Sequence, residues 1–201
     1  ADEVAFFGAT RGDPALRVTV FGEYNVGKST LVNALLGRQL LAARLRPTTG
    51  VPAEIRDGAE RVRIAYRDSR EAVTGLAAAD RAASLDGDAR ARDEIDRILI
   101  EIPSPLLGAG LVLVDTPGVL DAAAQTERAR REASAADLVL LVLRADHLLS
   151  RTERDYAVGW LTGELAKPVV PVVNFMSRIP AGEQAELRGL LADMTRHLVP
   201  V

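Results

Sequence analysis

The chain has 201 residues, enough for one domain whose core needs neither disulfides nor a structural metal. It contains no cysteine, which excludes a disulfide framework and cysteine-ligated zinc or iron–sulfur sites. The net charge of −3 disfavours a nucleic-acid-binding surface, and no apolar run approaches the roughly 20 residues that span a bilayer. We therefore expect a soluble, cytoplasmic domain that binds no nucleic acid.

Apolar runs of strand length alternate with stretches of helical periodicity. The predicted strands are Val18–Phe21, Val51–Ile55, Val62–Tyr66, Ile98–Ile102, Leu111–Val114, Leu138–Leu143 and Val169–Val173. The predicted helices are Thr30–Leu36, Thr126–Ala135, Thr152–Leu165 and Glu183–His197. Several strands are almost continuously apolar, which is typical of strands covered on both faces. The pattern predicts an α/β fold with a mixed, mostly parallel sheet flanked by helices on both faces.

Two segments depart from the simple alternation of strands and helices. Asp57-Gly58 lies between two β-rich runs and predicts a hairpin, hence an antiparallel strand pair at one edge of the sheet. The segment Asp68–Asp96 is rich in alanine, arginine and aspartate, and predicts one or two exposed helices inserted between strands. We interpret residues 1–16 as a lead-in segment and residues 17–201 as one domain, which we expect to be incomplete at its C-terminus.

A phosphate-binding turn follows the first strand. It matches the pattern G-x-x-x-x-G-K-S, in which glycines let successive backbone N–H groups point at phosphate oxygens. The helix that follows adds a favourable dipole, Lys28 supplies positive charge, and the Ser29 hydroxyl is a ligand for Mg²⁺. The residues predicted to bind nucleotide phosphates are Gly22, Glu23, Tyr24, Asn25, Val26, Gly27, Lys28, Ser29 and Thr30.

A second motif, D-T-P-G, follows a buried strand at its C-terminal end, where open α/β sheets bind ligands. Asp115 is predicted to hold Mg²⁺ through water, and the Gly118 N–H to contact the γ-phosphate and so sense hydrolysis. By itself the motif is equally typical of a strand-to-loop turn. Its place after a P-loop favours the functional interpretation.

A third motif, R-P-T-T-G, ends at Gly50, between the P-loop helix and the next strand. A loop at this place closes over the metal and the γ-phosphate in nucleotide switches. We predict that Thr49, in preference to Thr48, binds the metal through its hydroxyl and orients the attacking water through its carbonyl. Lys28, Thr49 and Gly118 are thus the predicted catalytic residues, and Ser29, Thr49 and Asp115 the predicted Mg²⁺ ligands.

Together these motifs resemble those of bacterial dynamin-like proteins over most of residues 17–178. The similarity lies in Gly22–Gly37, Arg46–Gly50, Asp115–Gly118, and Ala136–Leu138 with Arg144–Arg154. It implies a GTPase domain that binds GTP or GDP with Mg²⁺ and pairs with a second G domain, as a homodimer or heteromer. It also implies membrane remodelling at the inner face of the cell membrane, through lipid-binding regions and a helical stalk outside this chain.

Asn25 stands at a P-loop position that is similar to one where related GTPases ligate a potassium ion. Such an ion bridges the phosphates and takes the place of an arginine finger. Alternatively, the Asn25 side chain caps the turn through local hydrogen bonds.

The base-recognition motif departs from the family pattern Asn-Lys-x-Asp. The chain has Asn174, Phe175 and Ser177 at the corresponding positions, and the resemblance assigns these three residues to the nucleotide base. The missing aspartate removes a bidentate contact to guanine, which Ser177 replaces only in part. Phe175 either stacks on the base or packs in the core after its strand.

Three functions fit these observations. The first is an active dynamin-like GTPase. The second is a poorly hydrolysing, nucleotide-gated interaction module with relaxed base specificity, which the altered base motif favours. The third is a ribosome- or tRNA-associated GTPase, favoured by Asn25 but disfavoured by the acidic balance and by the long segment Arg56–Glu101.

Overall fold

The computed structural model describes residues 15–41, 50–83, 89–119, 123–147, 160–161, 163–164 and 166–198. The strands are β1 Leu16–Phe21, β2 Ala53–Asp57, β3 Arg61–Tyr66, β4 Glu71–Thr74, β5 Ile95–Ile102, β6 Leu111–Asp115, β7 Leu138–Arg144 and β8 Val169–Asn174. The helices are α1 Lys28–Leu36, α2 Leu76–Ala83, α3 Ala89–Glu94, α4 Pro105–Gly108, α5 Ala123–Ser134 and α6 Ala181–Leu198. Single turns of 3₁₀ helix span Ala145–His147 and Met176–Arg178.

Within the described residues, the strands form one mixed sheet of eight, in the order β4-β3-β5-β2-β6-β1-β7-β8. Four neighbouring pairs in it are parallel and three are antiparallel. The strands β6, β1, β7 and β8 are mutually parallel, so their C-terminal ends lie at one edge of the sheet. The predicted α/β fold with a mixed, mostly parallel sheet is confirmed.

Helices cover both faces of this sheet, as predicted. Along β7 the side chains of Val139, Leu141 and Leu143 pack in one apolar cluster with Ala129 and Ala133 of α5. The intervening Val142 belongs to a second cluster, which also contains Val32 of α1. Because successive side chains of a strand point to opposite faces, α1 and α5 lie on opposite sides of the sheet.

The predicted hairpin at Asp57-Gly58 is wrong. β5 lies between β2 and β3, parallel to the former and antiparallel to the latter. The Gly58 N–H donates to the Ile102 carbonyl at 3.1 Å, and the Asp57 carboxylate accepts from the Ser104 N–H at 3.0 Å. These two residues therefore hold the end of β5, whose backbone is paired with a strand on each side.

The segment Asp68–Asp96 is only partly helical. The structure contains the two predicted helices, α2 and α3, but the segment also contains β4, which pairs with β3 in an antiparallel hairpin. β4 has no partner on its outer side within the sheet, and its Val73 is 76% exposed. An edge strand needs no apolar run, so its composition did not reveal it. β5 also begins at Ile95, inside the segment predicted to be helical.

The other predicted elements agree with the structure to within a few residues. α1 begins two residues before the predicted Thr30, and α6 begins at Ala181, directly after a proline. Most of the predicted helix Thr152–Leu165 lies outside the described residues. None of the described helices is long and apolar enough to cross a membrane.

Candidate functional site

The P-loop follows β1 at the edge of the sheet where the parallel strands end. A Cβ atom on Gly22 would lie 2.5 Å from the carbonyl oxygen of Val142, and a Cβ on Gly27 would overlap the side-chain amide of Asn174. Gly27 also has a φ of 92°, which disfavours any residue with a side chain. Both positions therefore require glycine, and the backbone packs closely against β7 and the end of β8.

α1 begins directly at the end of this loop. The Leu31 N–H donates to the Gly27 carbonyl at 2.9 Å, which is the first hydrogen bond of the helix. The N–H groups of the residues before Leu31 have no acceptor inside a helix that begins here. With the helix dipole, they make this terminus a binding site for an anion such as phosphate.

Lys28 lies in the same loop. Its side chain is 8% exposed, and its ammonium donates to the carbonyl oxygens of Gly22 at 3.1 Å and Glu23 at 2.8 Å. The charge is therefore held at the mouth of the loop, by backbone acceptors. A phosphate oxygen in the loop is a stronger acceptor for this ammonium than a neutral carbonyl.

Ser29 and Asp115 meet at the centre of the site. The Ser29 hydroxyl donates to one carboxylate oxygen of Asp115 at 2.6 Å, and Asp115 is only 1% exposed. Its other oxygen, Oδ1, accepts no hydrogen bond from any residue that the structure describes. Burial raises the pKa of Asp115 to about 6, although the Ser29 hydrogen bond and the charge of Lys28 act in the opposite direction.

This pair of oxygen donors fits a magnesium ion. Mg²⁺ takes oxygen ligands and is commonly held by one or two protein groups together with phosphate oxygens and water. A buried carboxylate with an unbonded oxygen is costly unless a cation or a proton compensates it. Ser29 and Asp115 would hold the metal, beside the helix terminus that would hold the phosphates.

The loop after β6 packs on the P-loop. The Thr116 hydroxyl donates to the Val20 carbonyl at 2.7 Å, and the Val119 N–H donates to the Gly22 carbonyl at 3.3 Å. A Cβ on Gly118 would lie 2.8 Å from the Cα of Tyr24, so only glycine fits there. Gly118 is therefore held beside the phosphate-binding turn, although the two motifs are almost a hundred residues apart in the chain.

The structure thus brings together the predicted residues Lys28, Ser29, Asp115 and Gly118. Thr49 and the alternative Thr48 lie outside the described residues. Asn25, the predicted potassium ligand, is exposed at the surface of the loop and has a φ of 59°. Asparagine tolerates this left-handed conformation better than most residues, so the turn itself explains part of its presence.

The base motif lies at the end of β8. The Asn174 side chain donates to the Val26 carbonyl at 3.1 Å and accepts from the Phe175 N–H at 2.8 Å, so it ties this strand to the P-loop. Phe175 is half-buried, and it lies outside the core clusters of the described residues. Ser177 is exposed in the 3₁₀ turn that follows.

Sequence analysis missed an ion cluster around Phe175. The guanidinium groups of Arg144 and Arg178 lie 5.2 and 4.3 Å from the centroid of its ring. Both donate to Asp146, Arg144 at 2.9 and 2.8 Å and Arg178 at 3.2 Å, and these hydrogen bonds hold the pKa of Asp146 well below its usual range. In the sequence, the only indication of this cluster is the spacing of two residues between Arg144 and Asp146, at the end of a strand.

Comparison with known proteins places these features in a family. The model of the Dynamin family matches residues 18–175 of the chain. A curated protein of Nostoc punctiforme, named bacterial dynamin-like protein, is 28% identical over 158 residues. That match covers 73% of this chain but only 23% of the relative, so the chain spans about a quarter of the relative's length.

Two solved structures share the fold. One belongs to an oligomerised bacterial dynamin pair, described as a mechanism for the long-range sensing and tethering of membranes. It has a TM-score of 0.70 and 18% identity, and the match covers 100% of this chain and 31% of the other. The other is Era in complex with MgGDPNP and a segment of 16S ribosomal RNA, with a TM-score of 0.54 and 20% identity, covering 92% of this chain and 49% of that one.

The raised pKa of Asp115 predicts a pH dependence of stability. The folded state binds this proton more tightly than the unfolded chain, whose carboxyl has a pKa of 3.8. In metal-free protein, Asp115 should therefore lower the free energy of unfolding by about 3 kcal/mol as the pH rises from 4 to above 6. Asp115→Asn lacks this loss, so its stability relative to the unsubstituted chain should increase with pH in urea unfolding. If the free energies of unfolding of the two proteins differ by the same amount at every pH, the pKa of Asp115 is not raised.

Proposed function

This chain belongs to the dynamin family, and on that premise we propose that it binds and hydrolyses GTP as the G domain of a dynamin-like large GTPase. The observation that supports this most strongly is the hydrogen bond of 2.6 Å between Ser29 and the buried Asp115, at the N-terminus of α1. A P-loop can serve many nucleotide enzymes, but this pair beside Gly118 supplies a metal site and a γ-phosphate contact together.

We assign each residue a role in the reaction, and the role of Thr49 rests on its sequence motif alone. The N–H groups at the start of α1 and the Lys28 ammonium bind the β- and γ-phosphates, and Ser29 and Asp115 hold Mg²⁺. When bound, this ion neutralises charge on the phosphate oxygens. Gly118 donates its N–H to the γ-phosphate, and Thr49 adds a metal ligand and orients the attacking water. Phosphoryl transfer depends on positioning and charge, so no side-chain general base is required.

The proposal extends to parts of the protein outside this chain. The oligomerised bacterial dynamin pair is linked to tethering of membranes, and by analogy we propose that this G domain pairs with a second one. Membrane binding, at the inner face of the cell membrane, would then belong to the regions that the chain does not include. We propose no RNA binding from the fold shared with the RNA-bound Era, since the net charge of −3 disfavours a nucleic-acid-binding surface.

One observation favours the alternative of a nucleotide-gated module with relaxed base specificity. Ser177 offers no carboxylate for the guanine N–H groups, and the acidic group of the cluster, Asp146, is already bonded to two arginines. The guanidinium groups beside Phe175 donate hydrogen bonds but accept none. They would therefore bind acceptor atoms of the base. Because guanine and adenine both carry such atoms, these contacts would not distinguish GTP from ATP.

Lys28→Ala should lower GTP affinity by roughly tenfold or more, because a charge-assisted hydrogen bond to phosphate is lost. The rate at which GTP hydrolysis releases phosphate should fall as well. Lys167→Ala is the matched control, since Lys167 is the only other lysine in the sequence and its ammonium bonds the Ala136 carbonyl at 2.7 Å. Calorimetric titration with GTP measures the difference in affinity between the two variants. Equal affinities would show that this loop does not bind the phosphates of GTP.

Ser177→Asp should restore a bidentate acceptor for guanine and raise the preference for GTP over ATP by about tenfold or more. The measurement is competition of ATP against a fluorescent guanine nucleotide, for the unsubstituted chain and the variant. If the unsubstituted chain already rejects ATP strongly and the variant changes nothing, relaxed specificity is wrong.

The potassium proposal for Asn25 has a direct test. A cation bridging the phosphates would stabilise the charge of the transition state, so GTP hydrolysis should be faster in KCl than in NaCl at equal ionic strength. Asn25→Gly preserves the left-handed backbone but removes the ligand, and it should abolish this difference. If the unsubstituted chain hydrolyses GTP at equal rates in both salts, Asn25 binds no potassium and serves only the left-handed conformation of the turn.

A further inference from the structure

The side chain of Arg178 lies over the ring of Phe175 because the chain turns between them. Met176–Arg178 form a single turn of 3₁₀ helix, in which the Arg178 N–H donates to the Phe175 carbonyl at 2.9 Å. Side chains three residues apart are eclipsed in such a turn. The Phe175 N–H in turn donates to the Asn174 side chain at 2.8 Å, which holds the start of the turn. The local backbone therefore places the guanidinium 4.3 Å from the centroid of the ring.

A carboxylate fixes the edge of this guanidinium. The Arg178 Nη1 donates at 3.2 Å to Asp146, which Arg144 holds in place through two further hydrogen bonds. A guanidinium is planar and donates within its plane, so this bond uses its edge and leaves its faces for stacking. Phe175 covers one face, and the Arg178 side chain is 53% exposed. The outer face of the guanidinium can therefore stack on a flat ligand.

The stacked pair lies beside the phosphate-binding turn. A Cβ atom on Gly27 would lie 3.8 Å from the Cζ atom of Phe175, so the tip of the ring reaches the loop just before α1. The Asn174 amide, which donates to the Val26 carbonyl at 3.1 Å, ties the two segments together. β1, β7 and β8 end at this edge of the sheet, where open α/β sheets bind ligands. The base of a nucleotide whose phosphates lie in the loop is only one ribose away from them, within reach of this pair.

The other phenylalanine, tyrosine and tryptophan rings among the described residues lie elsewhere. Phe21 and Trp160 are buried in the core cluster that contains α5 residues. Tyr66 belongs to β3, near the opposite side edge of the sheet from β8. Tyr24 packs against the loop after β6. A base that lies at the end of β8 therefore meets the guanidinium over Phe175 as its flat surface.

We propose that Arg178 is the residue on which the nucleotide base stacks, with Phe175 behind its guanidinium and Asp146 fixing its edge. The inference rests on the proposed nucleotide-binding function and adds a contact for the base. Stacking uses the π-face that every base has, so it tolerates different bases. Like the hydrogen-bond donors of the cluster, this face does not distinguish guanine from adenine. Arg178 thus contributes affinity for purine nucleotides in general and leaves discrimination between them to other groups.

The test compares Arg178→Ala and Arg178→Lys with Arg70→Ala in the 201-residue chain. Arg70 is the matched control: it lies 4.8 Å from the centroid of the Tyr66 ring, bonds Asp68 and is 63% exposed, but it belongs to the hairpin of β3 and β4.

Three probes are titrated by calorimetry with Mg²⁺: non-hydrolysable analogues of GTP and of ATP, and inorganic tripolyphosphate, which has no base. Arg178→Ala should lower the affinity for both nucleotides by the same factor, about five- to a hundredfold, and leave that for tripolyphosphate unchanged. Arg178→Lys keeps the charge but loses the flat face, so it should lose most of the same affinity. Arg70→Ala should bind all three probes like the unsubstituted chain.

Other results overturn the stacking role. If Arg178→Ala weakens tripolyphosphate as much as the nucleotides, Arg178 acts through its charge or through the fold. Normal nucleotide affinity in Arg178→Lys would show that the charge alone suffices, and this variant decides if Arg178→Ala does not fold. A loss for the GTP analogue alone would make Arg178 a guanine-specific contact instead.

The unsubstituted chain separates this inference from the proposed function. If it binds tripolyphosphate as tightly as the nucleotides, the base makes no contact and the inference fails, while the phosphate site stands. If it binds none of the three probes, the phosphate site is wrong, and the proposed function fails together with the role of Arg178.

Discussion

The parallel pairing of β1 with β6 is the constraint on which the candidate site depends. Val20 is in register with Asp115, so the carboxylate reaches the edge of the sheet beside the strand position two residues before the P-loop begins at Gly22. Ser29 can then meet it from the first turn of α1, at 2.6 Å. The Thr116 hydroxyl donates a hydrogen bond to the Val20 carbonyl, which stabilises the same register. A slip of two residues along this pair would move Asp115 by about 6.6 Å relative to β1 and so away from Ser29.

A second layer of interactions fixes the helix that follows this loop. Ala129 and Ala133 of α5 pack in the apolar cluster of β7, whereas Arg128 and Glu132, on an adjacent stripe of the same helix, bond Gly50 and Arg17. α5 is therefore bound by apolar contacts and by charges. Arg128 thereby links α5 to the chain at Gly50, and Glu132 links the same helix to β1.

Sequence reasoning located the turn Gly22–Ser29 correctly between a strand and a helix, because a strand, a turn with obligatory glycines and a helix N-terminus follow one another in the chain. It failed where the structure is set by distant pairing. The insertion of β5 beside β2 and the edge strand β4 depend on partners far along the chain. Arg128 was overlooked among neighbouring arginines, although its spacing of four residues from Glu132 and its place beside Ala129 indicate a buried face.

The most direct test of the account is calorimetric titration of a non-hydrolysable GTP analogue, with Mg²⁺ and with EDTA, into the unsubstituted chain and Asp115→Asn. In the proposed site, a metal held by Ser29 and Asp115 would join the nucleotide to the P-loop. We predict binding that is markedly stronger with Mg²⁺ in the unsubstituted chain, and that most of this difference is lost in Asp115→Asn. Equal affinity with and without Mg²⁺, or the same dependence in both proteins, would contradict the claim.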